Sequence, residues 1–307
     1  MLEFERIIKK GIIPESFFTE EIRNGFLVTT ERKKIWAIEL DMFFEVMRIC
    51  KKYDIKYYVL GGSLLGAVRH NGFIPWDDDI DLMMCRKDYE RFSAVAQKEL
   101  EDPYFFQTPN TDNCWCDFAR ICNSNTTGIR KILRGVKNVN KGIFIDIFPV
   151  DAISDNTFIR KSIYKLVALH SRLAVCYSFG VSNTWMDKIV NSVLQLPFIH
   201  MNIKKIYKCA NKIASLVNAE KAHQMGIVVR TPYTPEKLRW SKEVLKDKIT
   251  IPFEFFSIEI PARYDEILKT NYGDYMVFPP VEERGRWHDI IFDPDMPYEK
   301  YCAEHNI

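Results

Sequence analysis

The chain has 307 residues, 47% hydrophobic and 27% charged, a balance that can bury a sizeable core and excludes a disordered polymer. Its net charge of +2 gives no global electrostatic case for a nucleic-acid partner. Charges interrupt every apolar run near Met1, and no stretch approaches the roughly 20 apolar residues that span a bilayer, so neither a signal peptide nor a membrane span is expected.

Residues 1–30 carry the breakers Pro14 and Gly25 and predict only short elements. From Thr30 to Tyr53, Ile35, Ile38, Met42, Val46 and Ile49 recur at helical spacing behind a polar start, which predicts a core-packing helix. Tyr57-Tyr58-Val59-Leu60 is a short buried strand by its β-forming residues. Gly61-Gly62 breaks it, and Ser63 is expected to cap a helix over residues 64–70. Bare backbone at a helix start lets N–H groups approach a phosphate, where the helix dipole also favours negative charge.

Asp77-Asp78-Asp79-Ile80-Asp81 follows, with Leu82-Met83-Met84 continuing it as an apolar strand. On a strand Asp77, Asp79 and Asp81 share one face and Asp78 and Ile80 the other. Aligned carboxylates on a rigid strand suit Mg²⁺ or Mn²⁺, which takes oxygen ligands and keeps positions open for substrate phosphates. The alternative is a solvated acidic turn.

Residues 86–100 predict an amphipathic helix with Tyr89, Phe92, Val95 and Ala96 inward, and residues 104–107 and 118–121 predict strands. Arg120 either faces the site from its strand or forms a surface salt bridge. The eight cysteines, several inside apolar runs, suit reduced buried thiols. Cys114, Cys116 and Cys122 offer three thiolates, without zinc-finger spacing or a fourth ligand. In Ile143-Phe144-Ile145-Asp146-Ile147-Phe148, a lone Asp inside an apolar run is expensive unless it is paired or metal-bound. Asp146 is therefore a candidate third carboxylate on a neighbouring strand, the alternative being a structural bond to backbone or to an Arg. Asp151, after Pro149, is expected in a loop capping the next helix.

Residues 157–225 alternate basic and apolar character, with helices expected over residues 158–179, 185–195 and 203–217. Lys161, Lys165, Arg172, Lys188, Lys204, Lys205, Lys208 and Lys212 stud their polar faces, either as a bundle packed on the sheet or as a basic surface resting on anionic lipid. From Met225 β character returns, with Trp240-Ser241-Lys242-Glu243 as a polar link to strands near residues 249–261 and a short helix after Arg263. The expected organisation is α+β: a catalytic core over 1–156 built on a mixed sheet flanked by helices, a helical insert over 157–225, and a C-terminal segment over 226–307 completing the site.

Two strings carry a family resemblance. Leu60-Gly61-Gly62-Ser63 with Asp79-Ile80-Asp81-Leu82 resembles the signature of polymerase-β-type nucleotidyltransferases. The longer pattern, from Gly61 through His70 and then Gly-Phe-Ile-Pro-Trp-Asp-Asp-Asp-Ile-Asp, is similar to the LicD family of phosphocholine and, more distantly, fukutin-type ribitol-phosphate transferases. Asp146-Ile147-Phe148-Pro149 and the tail Tyr272-Gly273-Asp274-Tyr275-Met276, Pro279-Pro280, Arg284 and His288 also resemble that family, whereas the helical insert matches less. The resemblance implies a nucleotidyltransferase-type core and transfer of a phospho-alcohol from a CDP-alcohol such as CDP-choline. The acceptor would be a hydroxyl of a lipid-linked glycan or a teichoic acid or lipopolysaccharide precursor, and CMP would leave. Asp79, Asp81 and Asp77 would hold Mg²⁺, with Asp146 as bridge or base. Gly61, Gly62, Ser63 and Arg69 would hold the diphosphate. Arg284 and His288 sit in a loop dense in hydrogen-bonding groups, where His288 either contacts phosphate or is structural. Trp76, Trp115 and Trp287 are candidates for an aromatic cage. Cytoplasmic residence, at most peripheral at the inner face of the membrane, is implied. The competing functions are a nucleotidyltransferase that releases pyrophosphate and an inactive membrane-associated scaffold.

Overall fold

The computed structural model describes residues 3–179, 192, 202–229, 235–285 and 290–307. Helix α1 (Glu3–Lys9) and the hairpin β1 (Glu21–Arg23) with β2 (Phe26–Val28) lead into α2 (Thr30–Tyr53). The Thr29 side chain caps α2 by accepting the Arg32 N–H at 3.3 Å, and Asp54 ends it in the left-handed region at φ 50°. Its 24 residues span about 36 Å, and the expected apolar stripe is buried along with Trp36, Leu40 and Phe43.

Strand β3 (Tyr58–Val59), helix α3 (Gly61–His70), strand β4 (Asp81–Cys85) and helix α4 (Arg86–Glu99) come next. They are followed by β5 (Tyr104–Gln107), β6 (Ala119–Asn123), β7 (Thr127–Arg130) and the 11-residue β8 (Ile143–Ile153). The mixed sheet is organised around β8. One edge of β8 runs parallel to β4, which pairs antiparallel with β3. Its other edge pairs antiparallel with β6 over residues 143–147, and β6 with β5. Every residue of β8 is buried.

Pro149 is tolerated inside this strand for a geometric reason. The Asp146 N–H donates to Ile80 O on the β4 side, so the N–H groups of residues 147 and 149 would face the opposite edge. Pairing with β6 ends at Ile147, and pairing with β9 (Gln224–Gly226) starts at Asp151, so the missing N–H falls in the gap. Asp151 is therefore in the strand rather than in a capping loop; buried, it takes a two-point ion pair from Arg86 at 2.7 and 2.6 Å.

Helices α5 (Thr157–Phe179) and α6 (Ile203–Ala214) pack on one another and on the end of β8 through Ile153, Ile163, Val167 and Ala214. Apart from Ser192, the helix expected over residues 185–195 lies outside the described residues. Strand β10 (Arg239–Ser241) pairs with β9, so Trp240 is not in a polar link; it is buried and donates its Nε1–H to Asn271. The hairpin β11 (Lys248–Phe253) with β12 (Phe256–Pro261), helix α7 (Tyr264–Tyr272), strand β13 (Ile290–Asp293) on β7 and helix α8 (Tyr298–His305) complete the described chain. Among the described residues, no helix is long and apolar enough to cross a membrane. The architecture is α+β, as expected.

Candidate active site

The register of the sheet places charged groups side by side. Asp81 on β4 is the partner of Asp146 on β8, Asp146 that of Arg120 on β6, and Arg120 that of Gln107 on β5. Register partners share a face, so these four side chains form one polar row across an apolar sheet, with neighbouring strands about 4.8 Å apart. Asp81 stands at the end of the row nearest α3. Gln107 is anchored at the other end, donating to Asp112 at 2.7 Å and to Asn140 O at 3.0 Å.

Of the two places expected of it, Arg120 takes the one facing the site, in the row with Asp81 and Asp146, and not a surface salt bridge. It is 1% exposed, donates from Nε to Asp146 Oδ1 at 2.6 Å, and lies against the Phe118 and Phe144 rings, 5.3 and 4.4 Å from their centroids. Burial works against its charge, but Asp146 and then Cys116 and Cys114 outweigh that effect and hold its pKa above the ordinary value. The Asp146 carboxylate is thus paired and fixed in direction, which explains how the apolar run accommodates it.

The Gly-Gly break works differently from a capped start. Helix α3 begins at Gly61, and Leu60 precedes it without a side-chain cap. Ser63, buried, instead accepts the Asp81 N–H on Oγ at 2.9 Å and so ties the first turn of α3 to the start of β4. Gly61 has φ +57°, and a Cβ there would lie 2.8 Å from Asp81 Oδ2; a Cβ on Gly62 would collide with Asp77 Oδ2. The carboxylates of Asp81 and Asp77 occupy the space that side chains at 61 and 62 would fill. They lie against the positive end of α3, which stabilises a nearby carboxylate by about 0.3–1 kcal/mol.

The acidic segment alternates as expected: Asp78 and Ile80 are buried, while Asp77, Asp79 and Asp81 are half-buried. Regular strand pairing starts only at Asp81, so residues 77–80 are an extended run held by other means. The Asp77 carbonyl accepts from Arg32 Nη1 at 2.8 Å and from Trp36 Nε1 at 3.1 Å, both on α2. Asp79 is strongly perturbed. Burial pushes its carboxyl well above the ordinary carboxylate range, and Asp81, Asp77, Asp78 and Glu39 push it further. Glu39, one turn along α2 from Trp36, is itself buried, with Oε2 lacking a hydrogen-bond partner among the described residues; burial, then Asp78 and Asp77, raise it well above the carboxylate range. Sequence reasoning missed Arg32, Trp36 and Glu39. Their signal was polar groups at helical spacing on an otherwise apolar face.

The C-terminal segment closes over α3. Arg69 donates to Tyr275 O at 2.8 Å and to Val277 O at 3.3 Å, so it fastens this loop to the helix, and it lies 5.0 Å from the Phe278 centroid. Arg284 covers the Trp76 ring at 4.8 Å and the Phe278 ring at 5.4 Å. Of the candidate cage residues, Trp76 adjoins the acidic run, Trp115 packs against the core, and Trp287, like His288, lies outside the described residues. Arg69 Nε–H donates to His70 Nε2 at 3.0 Å, so the ring proton sits on Nδ1, which bonds Asn24 Oδ1 at 2.9 Å. Burial, then Arg69 and Arg23, push the His70 pKa down to about 4. Glu254, between β11 and β12, takes a two-point pair from Arg23 at 2.6 and 2.7 Å and the Phe73 N–H at 2.9 Å, which clamps the chain between α3 and the acidic run.

No group of three or more His, Cys, Asp and Glu among the described residues converges as a metal-ion cage, and Cys114, Cys116 and Cys122 are buried free thiols. A hard divalent cation usually takes one or two carboxylates plus substrate phosphates rather than a full protein cage. Half-buried Asp79 and Asp81, with Asp77 beside them and all-oxygen donors, fit that donor set.

Comparison with known proteins gives a consistent picture. Residues 54–172 match the family model described as the LicD/FKTN/FKRP nucleotidyltransferase domain. The chain is 29% identical over 267 residues to the lipopolysaccharide cholinephosphotransferase LicD of Haemophilus influenzae, which covers 85% of this chain and 96% of the relative. An uncharacterised protein of Rickettsia prowazekii is 31% identical over 115 residues, 38% of this chain and 40% of that protein. The human ribitol 5-phosphate transferase FKRP is 44% identical over a 43-residue stretch, 14% of this chain and 9% of its own.

Proposed function

Because this chain belongs to the LicD family, we propose that it is a phosphotransferase that moves a phospho-alcohol from a nucleotide donor to a hydroxyl of a cell-surface glycan precursor. The finer proposal is phosphocholine from CDP-choline, with CMP released; the name of the Haemophilus relative supports choline phosphate as the group moved. The observation that carries it is the Asp81–Asp146 pairing on adjacent parallel strands, beside the glycine start of α3.

The acceptor oxygen bonds to the phosphorus that carries the alcohol, the bond from that phosphorus to the CMP oxygen breaks, and the hydroxyl proton leaves to a base. Asp146 is the proposed base, and Arg120 fixes the direction of its carboxylate. The backbone N–H groups of Gly61 and Gly62, with the α3 dipole behind them, are the proposed seat of the donor diphosphate. Asp79 and Asp81, with Asp77, would hold Mg²⁺ or Mn²⁺, which supplies charge neutralisation at the entering and departing oxygens. The protein's own part is then mostly positioning. Arg69 serves that positioning by holding residues 275–277 over α3, and Arg284 by covering the Trp76 ring beside the acidic run.

The test is product analysis with Mg²⁺ and a glycan acceptor. Release of CMP from CDP-choline, with choline phosphate appearing on the acceptor, is the expected result. Pyrophosphate release from CTP with no CMP from CDP-choline would instead identify a nucleotidyltransferase.

A further inference from the structure

A second polar site lies at the far end of the strand that carries Asp81. Strand β4 ends at Cys85, and Arg86 begins α4, about 17 Å along the chain from the acidic run. There a cavity of about 700 Å³ opens between α4 and α6. Its floor is built: Arg86 is locked by Asp151 and by Asn211 Oδ1, and the Tyr89 and Tyr207 hydroxyls bond one another at 3.1 Å. The Ser93 hydroxyl in its wall is buried, with no hydrogen-bond partner among the described residues.

The mouth is strongly cationic. Lys204, Lys208 and Lys212 fall at i, i+4 and i+8 on α6, on one face, with Lys205 beside them. Like charges at that spacing destabilise a helix, and α6 contains no acidic residue to relieve them. Among the described residues Glu90 is the one acidic residue lining the cavity, and none of the four lysines forms an ion pair with a described residue. Arg86 is balanced by Asp151, which leaves the lysines as uncompensated donors above a floor of phenolic hydroxyls. A fold that gathers four ammonium groups with no ion-pair partner among the described residues around a concave, hydroxyl-lined space suits a tetrahedral oxyanion.

We propose that the cavity between α4 and α6 binds a phosphate group, from a soluble phosphate or from a lipid headgroup, separately from the acidic run of residues 77–81. The inference does not depend on the transfer reaction. The test compares wild type with the triple variant Lys204→Gln, Lys208→Gln, Lys212→Gln, all exposed positions, after thermal melting shows that both are folded. Two probes are used without added divalent cation: inorganic pyrophosphate by calorimetry, and sedimentation with phosphatidylglycerol vesicles against phosphatidylcholine vesicles. Wild type should bind at least one probe, at least tenfold more tightly than the triple variant and more weakly as salt rises. Binding of anionic vesicles alone identifies the headgroup as the source, and binding of pyrophosphate alone identifies a soluble phosphate. If wild type binds neither probe, or the triple variant binds within twofold of wild type, the proposal is overturned.

Discussion

Asp79 is the residue on which opposing effects are sharpest, because burial and four acidic neighbours all work against its charge. A carboxyl with a raised folded-state pKa makes the fold less stable as pH rises above its unfolded value near 3.9. Neutralising it should therefore stabilise the protein. Asp79→Asn is expected to melt no lower than wild type, and by a few degrees higher, while transfer activity falls by at least 100-fold. A large loss in melting temperature would make the carboxylate a structural tie instead. His70 has the opposite dependence on pH. Its folded pKa is pushed down to about 4 while the unfolded side chain titrates near 6.5, so its contribution is complete above pH 6.5 and is lost as pH falls towards 4. At about 1.4 kcal/mol per pKa unit the drop corresponds to at most about 3.4 kcal/mol, and solvent screening of this half-buried ring brings the amount to on the order of 1–3 kcal/mol. Melting curves from pH 7.5 to 4.5 should show a steeper decline for wild type than for His70→Gln, and parallel curves would show that the ring is not buried neutral between Arg69 and Asn24. The acidic residues were legible one by one, because charge clustering beside a Gly-Gly break is written in the chain. Arg120 was not, because a lone Arg in a strand has two readings until the register shows what lies opposite.

At the level of elements, the succession from β3 through α3 to β4 was legible from a β-forming run, a glycine break and a period-two acidic segment. Details that depend on contacts distant in sequence were not. Ser63 looks like a cap from local spacing, yet its hydroxyl serves β4 because the strand returns against the first turn of α3. Asp151 looks like a loop residue after Pro149, yet β8 continues through the proline because the missing N–H faces a gap between partners. The hairpin of β11 and β12 reaches across the chain to hold the segment between α3 and the acidic run through Glu254, whose side chain is 4% exposed. Removing one partner of such a pair costs about 3–5 kcal/mol. Glu254→Ala should lower stability by that order in denaturant titration and reduce activity more than a surface substitution does; a change under 0.5 kcal/mol would mean that Arg23 and Glu254 contribute little to the clamp.

Across the whole molecule, the α+β class followed from the chain, but the way β8 joins two groups of strands did not. A strand's neighbours are set by residues far away in sequence, and periodicity is blind to them. Helix α2 and the C-terminal loop converge on the acidic run from opposite ends of the chain, so the candidate site belongs to the complete fold rather than to one motif. That site is the centre of the functional proposal, and occupancy tests it most directly. Crystals grown with Mn²⁺ and a CDP-alcohol should show anomalous density within coordination distance of Asp79 and Asp81, with the diphosphate over Gly61 and Gly62. Manganese and nucleotide bound elsewhere on the molecule, away from those two carboxylates, would contradict it.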